Sequence, residues 1–148
     1  MGRRYSIDGE DTNTASTTIL ELRSTTTIRP RVYDLLFGSD ATPADNAGDY
    51  VLQRTTTAGT STAVTPQALD PGDPAATATA GKAHSAEPTY TANAILLHFA
   101  LNQRATFRWV AAPGGELVLP AAANGLGLLV SNIAGSAVNV GSCMHFEE

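Results

Sequence analysis

Cys143 and His145 are the two residues of this sequence whose types and spacing most directly suggest chemistry. Side chains two apart in an extended strand share a face. A thiol and an imidazole would therefore stand together, as two metal ligands or as a nucleophile beside its base. A closed metal site needs two further ligands, and no second cluster of ligating residues accompanies them. A thiol and a base on one face is also a coincidence that strands produce often, and no converging set of titratable residues surrounds this one.

Other candidate motifs fail on their own chemistry. Asp8-Gly9-Glu10-Asp11-Thr12-Asn13 is rich in oxygen but lacks the ordered alternation, central Gly and distant Glu of a calcium-binding loop, so it reads as a solvated turn. Gly125-Leu126-Gly127 does not continue to a third Gly, and no helix is expected after it to receive a phosphate. Ser136, in Ala134-Gly135-Ser136-Ala137, has the composition of half a nucleophile elbow without its strand-to-helix context. Trp109 has the parity of Phe107 and reads as a core anchor rather than a sugar platform. The expectation is a chain with no enzymatic activity, no cofactor and no metal.

The elements that must position these residues are strands. The last segment alternates most cleanly, with Val138, Val140, Ser142, Met144 and Phe146 on one side and Asn139, Gly141, Cys143, His145 and Glu147 on the other. Segment 89–101 places Ile95, Leu97, Phe99 and Leu101 on one face, and strand context there outweighs a tolerable helical sequence over 92–103. In 104–111, Phe107 and Trp109 face inward and Arg108 outward. Further strands are expected over 116–120 and 126–130, the second preceded by the hairpin dipeptide Asn124-Gly125. Earlier in the chain, Leu20, Leu22, Ser24, Thr26 and Ile28 share a face until Pro30 interrupts, after which Tyr33, Leu35 and Phe37 point one way. Segment 38–49 is dense in turn formers, a strand follows over 49–57, and 58–88 reads as one long loop punctuated by Pro66, Pro71, Pro74 and Pro88.

About eight such strands with regular turn signals predict an all-β fold, an antiparallel β-sandwich or jelly roll with a long central loop. Residues 1–16 are expected as an N-terminal arm or short edge strand, and 17–148 as a single domain. The length of 148 residues, 43% of them hydrophobic, suits one core. One cysteine excludes an intrachain disulfide, and no stretch is apolar for the length of a membrane span, so a soluble chain made in a cytoplasm is expected. A formal charge of −5 argues against nucleic acid as a partner. Lys82 is the sole lysine against eight arginines, and arginine is the cation favoured at contact surfaces.

The run from Phe107-Arg108-Trp109-Val110-Ala111-Ala112-Pro113-Gly114-Gly115-Glu116 through Asn124-Gly125-Leu126-Gly127, followed by an Ala/Ser/Val strand ending His145-Phe146-Glu147-Glu148, resembles the C-terminal half of small virion proteins of tailed bacteriophages. These are similar to capsid decoration, or cement, proteins. The resemblance covers roughly residues 104–148 and implies a β-sandwich or jelly roll that forms a homo-oligomer, commonly a trimer. It implies docking on the major capsid protein at the exterior of the phage head after synthesis in the bacterial cytoplasm. It carries over no catalytic residues. The contacts are expected in 1–16 and 58–88 and around the arginines, at Arg3, Arg4, Tyr5, Arg29, Arg31, Pro66, Pro71, Pro74 and Lys82. The alternatives are a receptor-binding or fibre module, which would need an exposed aromatic cluster, and a cupin-like enzyme, which would need a metal.

Overall fold

The structure, a computed structural model, describes residues 2–13, 16–131 and 137–148. Among the described residues, twelve strands run along the chain: β1 (Arg4–Asn13), β2 (Thr17–Arg23), β3 (Arg31–Asp40), β4 (Ala47–Thr57), β5 (Thr60–Val64) and β6 (Gln67–Ala68). They continue with β7 (Thr79–Ala86), β8 (Thr89–Asn102), β9 (Thr106–Val110), β10 (Leu117–Val118), β11 (Gly125–Ser131) and β12 (Val138–Glu147). They form two six-stranded antiparallel sheets. The first runs β6-β1-β12-β3, with β9 and β10 taking successive stretches of the far edge of β3. The second runs β5-β7-β2-β11-β4-β8. The chain steps from sheet to sheet through β1, β2, β3 and β4, and again through β9 and β10, β11 and β12. That interleaving is the connectivity of a jelly roll.

Period-two patterning explains why these segments pair as they do. In β12 the even-numbered residues from Val138 to Phe146 are buried and the odd-numbered ones partly exposed. Such a strand must lie over a core with its other face toward solvent. Between the sheets it meets Tyr5 and Ile7 of β1, Val32, Leu35 and Phe37 of β3, Leu20 and Leu22 of β2, Leu52 of β4, and Leu126 and Leu128 of β11. An aromatic cluster bridges the sheets. Phe37 stacks on Tyr50 at 4.6 Å and on Phe99 at 5.5 Å, and Phe99 stacks on Phe107 at 4.3 Å.

Several expectations change. The described residues hold twelve strands rather than about eight, chiefly because 58–88 holds β5, β6 and β7 instead of one long loop. Ala, Thr and Gly dominate that stretch, so the alternation of large apolar residues that usually reveals a strand is missing. Residues 4–13 form no free arm but a ten-residue strand, longer than the short edge strand expected: β1 pairs with β12 along its whole length and, on its outer side, with β6 only at Tyr5 and Ser6. Its acidic residues hid the alternation. Ile7 and Gly9 point inward, and Gly9 lets the strand approach the second sheet, since a Cβ there would lie 3.0 Å from the carbonyl of Ile19.

Bulges account for the remaining shifts of face. His145 pairs with Asp34 but Phe146 pairs with Val32, which leaves Tyr33 as an extra residue on β3. Val32, Leu35 and Phe37 therefore share the core, while Tyr33 turns out beside His145. On β8, the register shifts against β4 between Leu52 and Gln53, and Ile95 ends 47% exposed instead of joining Leu97, Phe99 and Leu101. β2 stops at Arg23, so Thr26 and Ile28 do not extend its face. Asn124-Gly125 does not close a hairpin, because β10 and β11 belong to different sheets; Ala123 takes the positive φ of that connection.

Candidate functional site

The outer face of the first sheet gathers most of the chemistry. Asp34 on β3, Cys143 and His145 on β12, Ser6 on β1 and Arg108 on β9 all lie on it. His145 Nε2 is 3.7 Å from the Cys143 thiol, and His145 Nδ1 is 3.2 Å from Asp34 Oδ2. Arg108 donates to both oxygens of Asp34, from Nε at 3.0 Å and from a terminal nitrogen at 2.7 Å. The Ser6 hydroxyl lies 3.4 Å from Cys143 Sγ. The resulting order is thiol, imidazole, carboxylate, guanidinium. The cross-strand register makes it: Asp34 stands opposite His145, and Arg108 stands opposite Leu36, two residues further along β3 on the same face.

The Arg108 hydrogen bonds hold the Asp34 carboxyl below its ordinary value of 3.8, outweighing a burial that pushes the other way, with the His145 contact adding to the lowering. A carboxyl depressed in the folded state contributes stability that is complete above its unfolded value and is withdrawn as pH falls through the folded one. The stability gap between the wild-type chain and Asp34→Asn, measured by urea unfolding, is therefore expected to shrink as pH is lowered from about 6 to about 3. A gap that stays constant over that range would rule out the linkage.

Beside Cys143 the face is open over Gly141, and Thr106 covers Gly38. Gly38 and Gly141 are cross-strand partners, and a Cβ added at Gly141 would meet nothing within 4 Å. Together with Leu36, Thr106 and Cys143 they line a shallow depression of about 300 Å³.

At the end of the same sheet, Arg4, Arg31, Tyr33, Ala111, Pro113, Glu116 and Glu147 enclose a cavity of about 320 Å³. The Arg4 guanidinium sits over the Tyr33 ring, 5.7 Å from its centroid. The two ends of the chain meet here, as Arg3 and Glu148 exchange backbone hydrogen bonds at 3.0 Å. Arg3 pairs with Asp73 at 3.9 Å and Arg4 with Glu147 at 3.8 Å, long contacts between solvated groups that contribute little to stability.

Of the residues expected to make contacts, Arg3, Arg4 and Arg31 come together at this end. Tyr5 does not belong with them, because it is wholly buried, stacked on Phe146 at 5.4 Å with its hydroxyl donating to the Pro74 carbonyl at 3.0 Å. Arg29 is exposed on the connection before β3. Pro71 and Pro74 are exposed on the turn that Tyr5 anchors, and Pro66 is half-buried between β5 and β6. Lys82 lies in β7, between Leu20 and Thr62 on the flanking strands, rather than in a loop. The acidic run 8–13 is β1 itself. Ser136 lies outside the described residues.

A second polar cluster, buried on the outer side of the second sheet, was not visible in the sequence. Glu21 accepts from Arg23 at 2.7 Å and from the Thr55 hydroxyl, and His84 Nε2 lies 3.5 Å from its other oxygen. His84 Nδ1 is 2.9 Å from the Thr18 carbonyl, which can only accept, so that nitrogen carries a proton. Glu87 and the Tyr90 hydroxyl close over Thr18. Burial alone would raise the Glu21 carboxyl, but the contacts with His84, Thr55 and Arg23 prevail and hold it below its ordinary value of 4.5. With Glu21 2% exposed and the His84 side chain sealed from solvent, this cluster secures structure and offers no access to a substrate.

Among the described residues, no group of three or more His, Cys, Asp or Glu side chains converges to hold a metal ion. No protein-family model, curated protein or solved structure matches this chain.

Proposed function

We propose that this jelly roll is a non-enzymatic virion structural protein of the capsid decoration type, which self-associates, as a trimer, and docks on the major capsid protein at the exterior of a phage head. The observation that carries the docking surface is the cavity at the arginine-bearing end of the first sheet. Its two arginines and two glutamates balance in charge around Tyr33, Ala111 and Pro113. Such a lining suits a polypeptide segment with mixed polar and apolar groups, whereas a phosphate backbone would require a net cationic surface. Arginine pairs and stacks in a planar fork, and Arg4 is already ordered over an aromatic ring. Each copy bound to assembled capsid in preference to free subunits would stabilise the shell by mass action. The sequence resemblance over 104–148 supports the same reading, since that segment supplies Ala111, Pro113 and Glu116 to the cavity. The aromatic side chains Phe37, Phe99, Phe107 and Trp109 pack toward the core, which gives the fibre alternative no stacking platform there.

The test is co-sedimentation of the full chain with emptied phage heads, alongside light scattering for the oligomer mass. Wild-type protein is expected to pellet with the heads, and Arg4→Ala with Arg31→Ala to weaken retention by about tenfold or more at an unchanged melting temperature. Failure of the wild-type chain to pellet, or retention of the double variant at the wild-type level, would refute docking through this surface. A monomeric mass would refute self-association.

A further inference from the structure

The ordered contacts around Cys143 have no part in docking through the arginine end, and they are arranged as a nucleophile, its base and the group that orients the base. We propose that Cys143 is a thiol-disulfide exchange site, with His145 as the base that takes the thiol proton, Asp34 as its positioning residue, and the depression beside Gly141 as the seat of a small disulfide.

Three independent features carry this assignment. First, Asp34 can only accept from His145 Nδ1 at 3.2 Å, so Nδ1 bears the proton and the lone pair of Nε2 is turned toward Sγ at 3.7 Å. The two-toothed grip of Arg108 fixes Asp34 in turn, and Ser6 can donate to the sulfur once it is ionised. Second, there is room for an incoming group. The space over Gly141 is open, while the Thr106 side chain covers its cross-strand partner Gly38 and bounds the depression on that side. Third, the backbone selects the reaction. β12 is hydrogen-bonded to β1 on one side and β3 on the other, so the amides flanking Cys143 are committed to ladders and none faces outward to hold a carbonyl oxyanion. Acyl transfer lacks its main stabiliser here. Disulfide exchange needs none, since the charge passes along three sulfurs in line and leaves as a thiolate.

In the step itself, His145 Nε2 takes the Cys143 proton and Sγ attacks one sulfur of the disulfide R–S–S–R. The bond from Sγ to that sulfur forms as the original S–S bond breaks, and the departing thiolate receives the proton from the imidazolium. The net change converts Cys143–SH and RSSR into Cys143–S–SR and RSH: Cys143 is oxidised and one sulfur of the disulfide is reduced. The charged groups flanking the thiol are Arg108, 60% exposed but paired with Asp34, and Asp8, the cross-strand partner of Cys143.

The probe is glutathione disulfide, added to the full chain and followed by intact mass at fixed neutral pH. The folded protein is expected to gain one glutathione on Cys143 at least about tenfold faster than the same chain unfolded in urea, and His145→Gln to slow the folded rate by about a hundredfold. Gly141→Val, which fills the depression and leaves the contacts of His145 alone, is expected to slow it as well. Asp34→Asn should reduce the rate and abolish the protected Nδ1 proton of His145 in nitrogen-edited NMR, a signature that a merely structural role would not move. A wild-type rate in His145→Gln, with its circular dichroism unchanged, would overturn the proposal. So would a folded rate no faster than the unfolded one. If His145→Gln does not fold, a wild-type rate in Gly141→Val overturns it instead.

Discussion

Replacing Glu21 by alanine is expected to remove about 3–5 kcal/mol of stability, the range for taking one partner out of a buried ion pair. Glu21 is 2% exposed, and the Arg23 side chain bonded to it is largely buried at 15% exposure. Without the carboxylate, the guanidinium keeps acceptors in the Thr55 hydroxyl and the carbonyls of Thr56 and Ala123 but loses its counter-charge, the Thr55 hydroxyl loses its acceptor, and His84 keeps only the Thr18 carbonyl. Burial of the uncompensated charge makes the loss large; a surface pair of the same length would contribute less than about 1 kcal/mol. The measurement is urea unfolding at neutral pH, read as a lower midpoint at unchanged slope. A loss below about 1 kcal/mol would show that water reaches the cluster. The sign with pH follows from the depressed carboxyl: its contribution is complete above 4.5 and is withdrawn as pH falls, so the gap between wild type and Glu21→Ala narrows in acid.

Phe37→Ala is expected to cost a comparable amount, about 3–5 kcal/mol, by a different route. Phe37 is 2% exposed and contacts Tyr50, Phe99 and Phe107, so its removal opens a cavity and breaks two aromatic contacts between the sheets and one within the first sheet. Tyr50 and Phe99 are cross-strand partners in the second sheet, as Phe37 and Phe107 are in the first. The cluster is therefore a clamp between two ladders and cannot close by moving one strand. Phe107→Ala, at a half-exposed ring on the edge strand β9, should cost clearly less in the same unfolding experiment. Equal losses would mean that the cluster collapses as a unit and that the position of Phe37 at its centre is immaterial.

How much of the fold could be read in advance depended on side-chain size. β12 and β9 were legible because large apolar residues alternate there with smaller or polar ones, and in β3 the placement of Leu35 and Phe37 on the core face held. β5, β6 and β7 were not, because Thr, Ala and Gly serve a strand or a loop equally well and only pairing with β2 and β1 decides between them. β1 was obscured by its acidic outer residues. A one-residue bulge was enough to move Tyr33 from the predicted core face to the surface, since each shift of register by one residue exchanges the faces.

The candidate site divides in the same way. The shared face of Cys143 and His145 follows from the sequence alone, because two residues apart on a strand is a local relation that needs no knowledge of the rest of the chain. Asp34, more than a hundred residues away, and Arg108, on a different strand again, reach that pair only through the β3–β12 and β3–β9 registers. The same holds for Glu21 with His84, and for Arg4 with Arg31. Composition and periodicity determined an all-β sandwich with a cleanly alternating last strand, since these depend on the transfer of side chains from water and on the geometry of one extended strand. Which charges meet, which are buried, and whether the thiol has a base held by a carboxylate were decided by long-range pairing, which one strand does not encode without its neighbours.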